Sequence, residues 1–123
     1  MTPKEIVLSG YRMFAEGNLV GLKEINHKNA LFKVNGNHKR SGEYKGFDEF
    51  RDHFLAHLES DFPNFKLEVL HVVAEESRVH VYVHYTADNL NAHGVHMFFV
   101  EDGLQKEFIV FDDSQKLAAA LGN

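Results

Sequence analysis

Apolar positions along the chain follow two periods, and the change between them divides the fold. In the first half they recur every three to four residues, as on one side of a helix; beyond Pro63 they alternate, as in half-buried strands. Thr2, Pro3 and Glu5 make a helix start with a capping box and the favoured proline. Ile6, Val7, Gly10, Tyr11, Met13 and Phe14 then fall on one broad side, up to a stop at Gly17. Asn18 can cap a short second helix over 19–25. A strand over 30–34 follows, Asn35-Gly36 marks a turn, and 37–45 reads as a polar, basic loop. Gly46 opens a third helix over 47–60, striped by Phe47, Phe50, Phe54 and Leu58, and Pro63 forbids its continuation.

Four strands are expected over 65–74, 78–87, 93–100 and 104–111, with connections short enough to make neighbours antiparallel. Asp113 or Ser114 caps a last helix carrying Leu117 and Leu121. Helices gathered first and strands later indicate an α+β fold: three N-terminal helices on one face of a mostly antiparallel sheet, with a short C-terminal helix. At 123 residues one domain over 1–123 is the natural size.

The strand over 78–87 separates its faces cleanly. Val79, Val81, Val83 and Tyr85 point to the core, and His80, Tyr82, His84 and Thr86 point away. The strand over 93–100 is apolar on both faces, so both should be covered. A homodimer through the face carrying His80, Tyr82, His84, His96 and Phe98 is the simplest cover; the last helix folding back is the alternative.

Composition narrows the function by exclusion. No Cys is present, which removes disulfides, thiolate nucleophiles and Cys-based zinc sites. A net charge of −5 speaks against a nucleic-acid partner, and no apolar run is long enough to span a membrane. The first residues lack the build of a signal peptide, so a soluble, cytoplasmic protein is expected. Nine His make the charge change sign on mild acidification. No phosphate loop, dinucleotide fingerprint or nucleophile elbow occurs, so no cofactor is called for. His53 and His57 stand four apart but read as a solvated face. His80, His84 and His96 could share a sheet face, and that face reads better as a wet surface than as a metal site.

Three fragments resemble the SnoaL-like (polyketide cyclase-like) branch of the superfamily of nuclear transport factor 2 and ketosteroid isomerase. They are Tyr11 with Ala15-Glu16-Gly17-Asn18-Leu19, then Ser41-Gly42-Glu43-Tyr44-Lys45-Gly46-Phe47-Asp48-Glu49-Phe50, then Asp102-Gly103 with Glu107, Phe111-Asp112-Asp113 and Leu121-Gly122. The resemblance implies a cone: a curved sheet wrapped round helices, with a pocket at its open end, and frequent homodimers. Aligning the family's loop glycine on Gly103 turns His93, Val95, Met97, Phe99, Phe108, Val110 and Asp112 toward that pocket. It also implies departures. Val34 and Val95 stand where isomerase relatives keep carboxylates, Gly10 where they keep a helix tyrosine, and Val110 where SnoaL-type cyclases keep an aspartate.

The expected function is therefore binding of a small hydrophobic or aromatic metabolite, lined by Tyr11, Phe14, Phe32, Val34, Phe54, Tyr85, Val95, Met97, Phe99, Phe108 and Val110. Asp112 and His93 are the candidate acid/base pair for an isomerisation, dehydration or cyclisation. The rival is a non-catalytic homodimeric interaction module. An empty cavity of roughly 300 Å³ or more favours the ligand; a filled core favours the scaffold.

Overall fold

Thr2 starts the first helix as a capping residue should: its hydroxyl accepts from the Glu5 N–H at 3.1 Å, and the Glu5 carboxylate accepts from the Thr2 N–H at 2.8 Å. The structure is a computed structural model that describes residues 1–122. From that start the chain runs α1 (Pro3–Glu16), α2 (Leu19–Glu24), β1 (Asn26–Val34), β2 (Gly42–Lys45), α3 (Phe47–His53), a 3-10 turn (Leu55–His57) and α4 (Leu58–Asp61). Then follow β3 (Lys66–Glu75), β4 (Arg78–Ala87), β5 (Leu90–Glu101), β6 (Leu104–Asp112) and α5 (Ser114–Leu121). The six strands form one curved sheet in the order β2-β1-β6-β5-β4-β3. Every pairing is antiparallel except β1 with β6. The helices pack on one face, so the α+β architecture expected from the sequence is the one observed.

Three elements differ from expectation. The helix over 47–60 is broken at Phe54, whose φ of −125° and ψ of −66° are not helical. The break lets Phe54, Leu55 and Leu58 all face one cavity. The supposed loop contains β2, a four-residue edge strand whose one buried side chain is Tyr44. The basic residues before it are not free either, because Arg40 donates to Asp61 through Nε at 2.6 Å and Nη2 at 3.1 Å.

The third difference decides the site. Phe99 lies opposite Glu107, but Val100 lies opposite Gln105, so Lys106 is an extra residue in β6. That bulge shifts the β5–β6 pairing by one, and a one-residue shift turns every side chain of a strand to the other face. Counting back from Gly103 without the bulge pairs Met97 with Phe108; the structure pairs Phe98 with Phe108. Leu90, Ala92, Gly94, His96, Phe98 and Val100 are therefore the inward set of β5. His93, Val95, Met97 and Phe99 point to the other face. The β4 pairing agrees, with Val79 opposite Phe98 and Val81 opposite His96.

The core has two clusters. One gathers Ile6 and Val7 of α1, the β4 valines, Tyr85, Phe98 and Leu117; the other gathers Ala30, Phe32, Val34, Tyr44, Phe47 and Phe50. Phe108 packs against both.

The corrected parity has a direct check. Phe98 is 5% exposed, so Phe98→Ala should cost about 3–5 kcal/mol in urea unfolding. His93→Ala, on the opposite face, should change stability by about 0.5 kcal/mol or less. Equal losses from the two substitutions would contradict this register.

Candidate functional site

Between the helices and the sheet lies a cavity of about 120 Å³. Its walls are mainly aromatic and aliphatic, from α1 (Val7, Tyr11, Phe14), β1 (Phe32), the broken helix (Phe50, Phe54, Leu55, Leu58) and the inner sheet face. This is smaller than the roughly 300 Å³ that a drug-sized ligand needs. It is close to the roughly 150 Å³ of an apolar cavity that takes up benzene. One ring fills it.

Polar groups enter the wall at one corner, each from a different element. Tyr11 of α1 places its hydroxyl 2.5 Å from His96 Nδ1. Tyr85 of β4 lies 2.5 Å from His96 Nε2 and donates to Asp112 Oδ1 at 2.6 Å. The four side chains thus form one unbranched chain from α1 to the C-terminal end of β6. The backbone of Asp112 is pinned by the side chain of Asn35, which accepts from its N–H at 2.9 Å and donates to its carbonyl at 3.0 Å. Gly94 faces Asp112 across the ladder, and a Cβ built there would overlap Oδ1. Only glycine leaves room for the carboxyl.

Burial sets the charge states. Full burial pushes the His96 imidazole down to about 3, so it is neutral throughout the ordinary pH range. Burial raises the Asp112 carboxyl to about 7, against the opposing pull of the Tyr85 hydrogen bond. Burial, with the Asp112 charge nearby, holds both tyrosine hydroxyls well above their usual range. Among the described residues no Lys or Arg lines the cavity, so none of them supplies the carboxyl with a counter-charge there.

A second polar pair sits apart from this corner. Asn26 donates to the Leu22 carbonyl at 2.7 Å and accepts from Gln105 Nε2 at 3.1 Å. The buried Gln105 Oε1 is left without a partner among the described residues.

Of the residues expected at the site, Tyr11, Phe14, Phe32, Phe54, Tyr85, Phe108, Val110 and Asp112 line the cavity. Val34 is buried in the core cluster beneath it. Val95, Met97 and Phe99 are on the outer face, opposite the outward residues Tyr82, His80 and Arg78 of β4, and so is His93, which stacks on Tyr82 and His84. The Asp112–His93 pair is not formed; His96 reaches the site instead. The supposed dimer face loses His96 and Phe98, which are both inward, and the three-histidine grouping dissolves with them. Among the described residues no cluster of three potential metal ligands occurs. The sequence did hold one signal for His96: alternation lapses over Gln105-Lys106-Glu107, where a bulge can sit.

A family profile described as the SnoaL-like domain matches residues 7–108. No curated protein matches the sequence. Several solved structures share the fold. Bal32a, from a soil-derived mobile gene cassette, is 22% identical with a TM-score of 0.88, covering 97% of this chain and 95% of that one. An NTF2-like protein from Burkholderia thailandensis is 16% identical with a TM-score of 0.91, covering 100% and 99%. TerC, co-crystallized with polyporic acid, is 18% identical with a TM-score of 0.84, covering 98% of each chain.

The buried pair gives stability an unusual pH profile. Asp112 binds its proton more tightly when folded (about 7 against 3.8), so its contribution is full below pH 3.8 and is lost as pH rises through 7. His96 binds its proton less tightly when folded (about 3 against 6.5), so its contribution is full above 6.5 and is lost as pH falls toward 3. Between about pH 4 and 6.5 the two slopes oppose and cancel. His96→Gln removes one of them, and its stability relative to the unmutated protein should fall by about 1.4 kcal/mol per pH unit rising across that window. Urea titrations at several pH values measure this; parallel profiles would refute it.

Proposed function

The chain belongs to the SnoaL-like domain family, and on that premise we propose that it binds a small aromatic or hydrophobic metabolite, about one ring in size, and moves a proton on it with Asp112. One observation carries this proposal: a single carboxyl, raised to about 7 by burial, stands in a wall otherwise made largely of rings and aliphatic groups. A carboxyl that titrates near neutrality can both take and return a proton, as general acid/base catalysis needs. A packed core gains nothing from it, because an ionisable group in an apolar site is costly. The ligand chemistry that suits it is an enolisable compound, with a C–H beside a carbonyl. Isomerisation, dehydration and cyclisation all begin with loss of that proton. A two-carboxylate isomerase mechanism has no support, since among the described residues Asp112 is the one carboxyl lining the cavity. TerC's polyporic acid complex supports a ligand in this fold.

Acetophenone serves as a minimal enolisable probe. Exchange of its methyl hydrogens for deuterium, followed by NMR, should be accelerated by the protein and should drop about 10²–10⁴-fold in Asp112→Asn. Absence of saturable binding by both phenol and acetophenone would favour the scaffold reading, which the small cavity otherwise suits.

We further propose a homodimer through the outer sheet face. It exposes Val73, Tyr82 and Phe111 at 67%, 37% and 51%, beside the stacked His71, Tyr82, His93 and His84. Apolar surface left open on a sheet marks an interaction site. Sedimentation at micromolar concentration should show a dimer that Phe111→Asp converts to monomer. A monomeric unmutated protein would end this idea.

A further inference from the structure

The chain Tyr11–His96–Tyr85–Asp112 has three links, with three hydrogens to fill them when Asp112 is ionised and four when it is protonated, and counting them fixes its sense. Neutral His96 has one N–H and one lone pair, yet both ring nitrogens face a tyrosine hydroxyl. Tyr85 has one hydrogen and two neighbours, His96 Nε2 and Asp112 Oδ1. When Asp112 is ionised it can only accept, so Tyr85 donates to it. His96 must then donate to Tyr85 through Nε2–H, and its Nδ1 accepts the hydroxyl hydrogen of Tyr11. When Asp112 carries a proton and donates it to Tyr85, each link turns round: Tyr85 donates to Nε2, Nδ1–H donates to Tyr11, and the Tyr11 hydroxyl hydrogen is released. That hydroxyl has no other partner among the described residues.

We propose that these four side chains are one hydrogen-bond wire whose sense reverses with the Asp112 proton, so that Tyr11 offers the cavity a donor when Asp112 is protonated and only an acceptor when it is ionised. The site then distinguishes its ligands by oxygen type. A ring bearing a carbonyl gains the Tyr11 hydrogen bond in the protonated state alone, and is held more weakly, by the apolar wall, when Asp112 is ionised and able to act as base. A phenolic ring is held in either state, since its hydroxyl can donate or accept. His96 and Tyr85 are positioning residues in this scheme, transmitting the state of Asp112 without touching the ligand's reacting atoms.

Nothing else near Asp112 competes for the role. The titratable side chains facing the cavity are Tyr11 from α1, Tyr85 from β4, His96 from β5 and Asp112 itself from β6. The broken helix contributes Phe50, Phe54, Leu55 and Leu58, β1 contributes Phe32 and α5 contributes Leu117. Lys116 of α5 points elsewhere, to the Asn91 carbonyl. Burial lifts Asp112 to about 7, which brings the reversal into an accessible pH range.

The His96 tautomer is the direct readout. In ¹⁵N-labelled protein without ligand, two-bond proton–nitrogen spectra should show Nδ1–H at about pH 5.5 and Nε2–H at about pH 8.5. The midpoint should match the titration of Asp112. Tyr85→Phe keeps the carboxyl but cuts the wire, and His96 should then hold one tautomer at both pH values. A single tautomer throughout in the unmutated protein, with Asp112 seen to titrate, overturns the proposal. It would mean that the proton settles on Oδ2 and leaves the wire unturned. The ligand arm rests on the binding proposed above. Acetophenone should bind roughly fivefold more weakly at the higher pH, the value of one hydrogen bond, while phenol changes less than about twofold. The acetophenone difference should vanish in Tyr85→Phe. An equal response of the two probes refutes the oxygen selectivity. Failure of both to bind refutes the binding reading and leaves the tautomer result standing.

Discussion

Lys106 has no partner across the ladder, and the arrangement of the interior depends on that one extra residue. The β4 valines already hold Gly94, His96 and Phe98 inside, so without the bulge it is β6 that would turn, and Phe108, Val110 and Asp112 would leave the interior. With it, Asp112, Val110 and Phe108 come inside, opposite Gly94, His96 and Phe98. Each pairing has a consequence. Gly94 supplies the only space in which the Asp112 carboxyl fits. Phe98 stacks at a tilt on Phe108, 5.0 Å between centroids, and Phe108 joins the two core clusters. His96 reaches both tyrosines at once. A bulge is costly to a ladder, because it leaves one residue unpaired and bends the strand. Here the bend adds to the curvature that closes the sheet round the helices.

Burying an imidazole is tolerable only if it stays neutral and both nitrogens are satisfied. Tyr11 and Tyr85 meet the second condition, and the absence of any facing carboxylate in direct contact meets the first. The carboxyl is kept one tyrosine away. Had Asp112 touched His96 directly, the pair could have ionised together as imidazolium and carboxylate. Inserting Tyr85 breaks that coupling, so the carboxyl retains its own proton near neutrality while the imidazole stays neutral down to about pH 3.

Most of the fold was legible in the sequence because its signals are local. The capping box at Thr2, the stop at Gly17, the change of period after Pro63 and the cap at Asp113 all concern residues within one turn of each other. β4 was legible too, since Val79, Val81 and Val83 alternate with polar residues. β5 was not, because both its faces are apolar and alternation then carries no sign. Its facing is fixed by register against β4, a property of two strands together, and the two-residue turn at 88–89 that sets this register lies in a stretch that reads as a five-residue loop. Hence Tyr85, on a strand whose facing could be read, was found; the alignment on Gly103 brought in Asp112, and the same alignment exchanged His96 for His93. The break at Phe54 was hidden for a similar reason: an apolar stripe fits a straight helix and a broken one equally well. Asn35 showed itself as a turn residue, but its hold on Asp112 spans the β1–β6 pairing and has no local trace.

The size of the cavity follows from what surrounds it. Phe32, Phe50 and Phe54 form a continuous stack, with centroids 4.5 and 4.9 Å apart, and Tyr44 closes on two of them edge-on. Rings joined in this way move as plates. An aliphatic side chain can change rotamer to fill a leftover space, but a stacked ring cannot turn without breaking contacts on both faces. A wall of phenylalanines therefore keeps its hollow where one of leucines would collapse. The hollow, about 120 Å³, is lined by all three stacked rings, which suits the ring-sized ligand proposed above. Its apolar walls can hold such a ring but cannot orient it, since stacking is nearly indifferent to rotation in the plane. Orientation has to come from the polar groups in the wall: the Asn26–Gln105 pair, and the corner where the Tyr11 hydroxyl and the Asp112 carboxyl stand at opposite ends of one hydrogen-bonded chain.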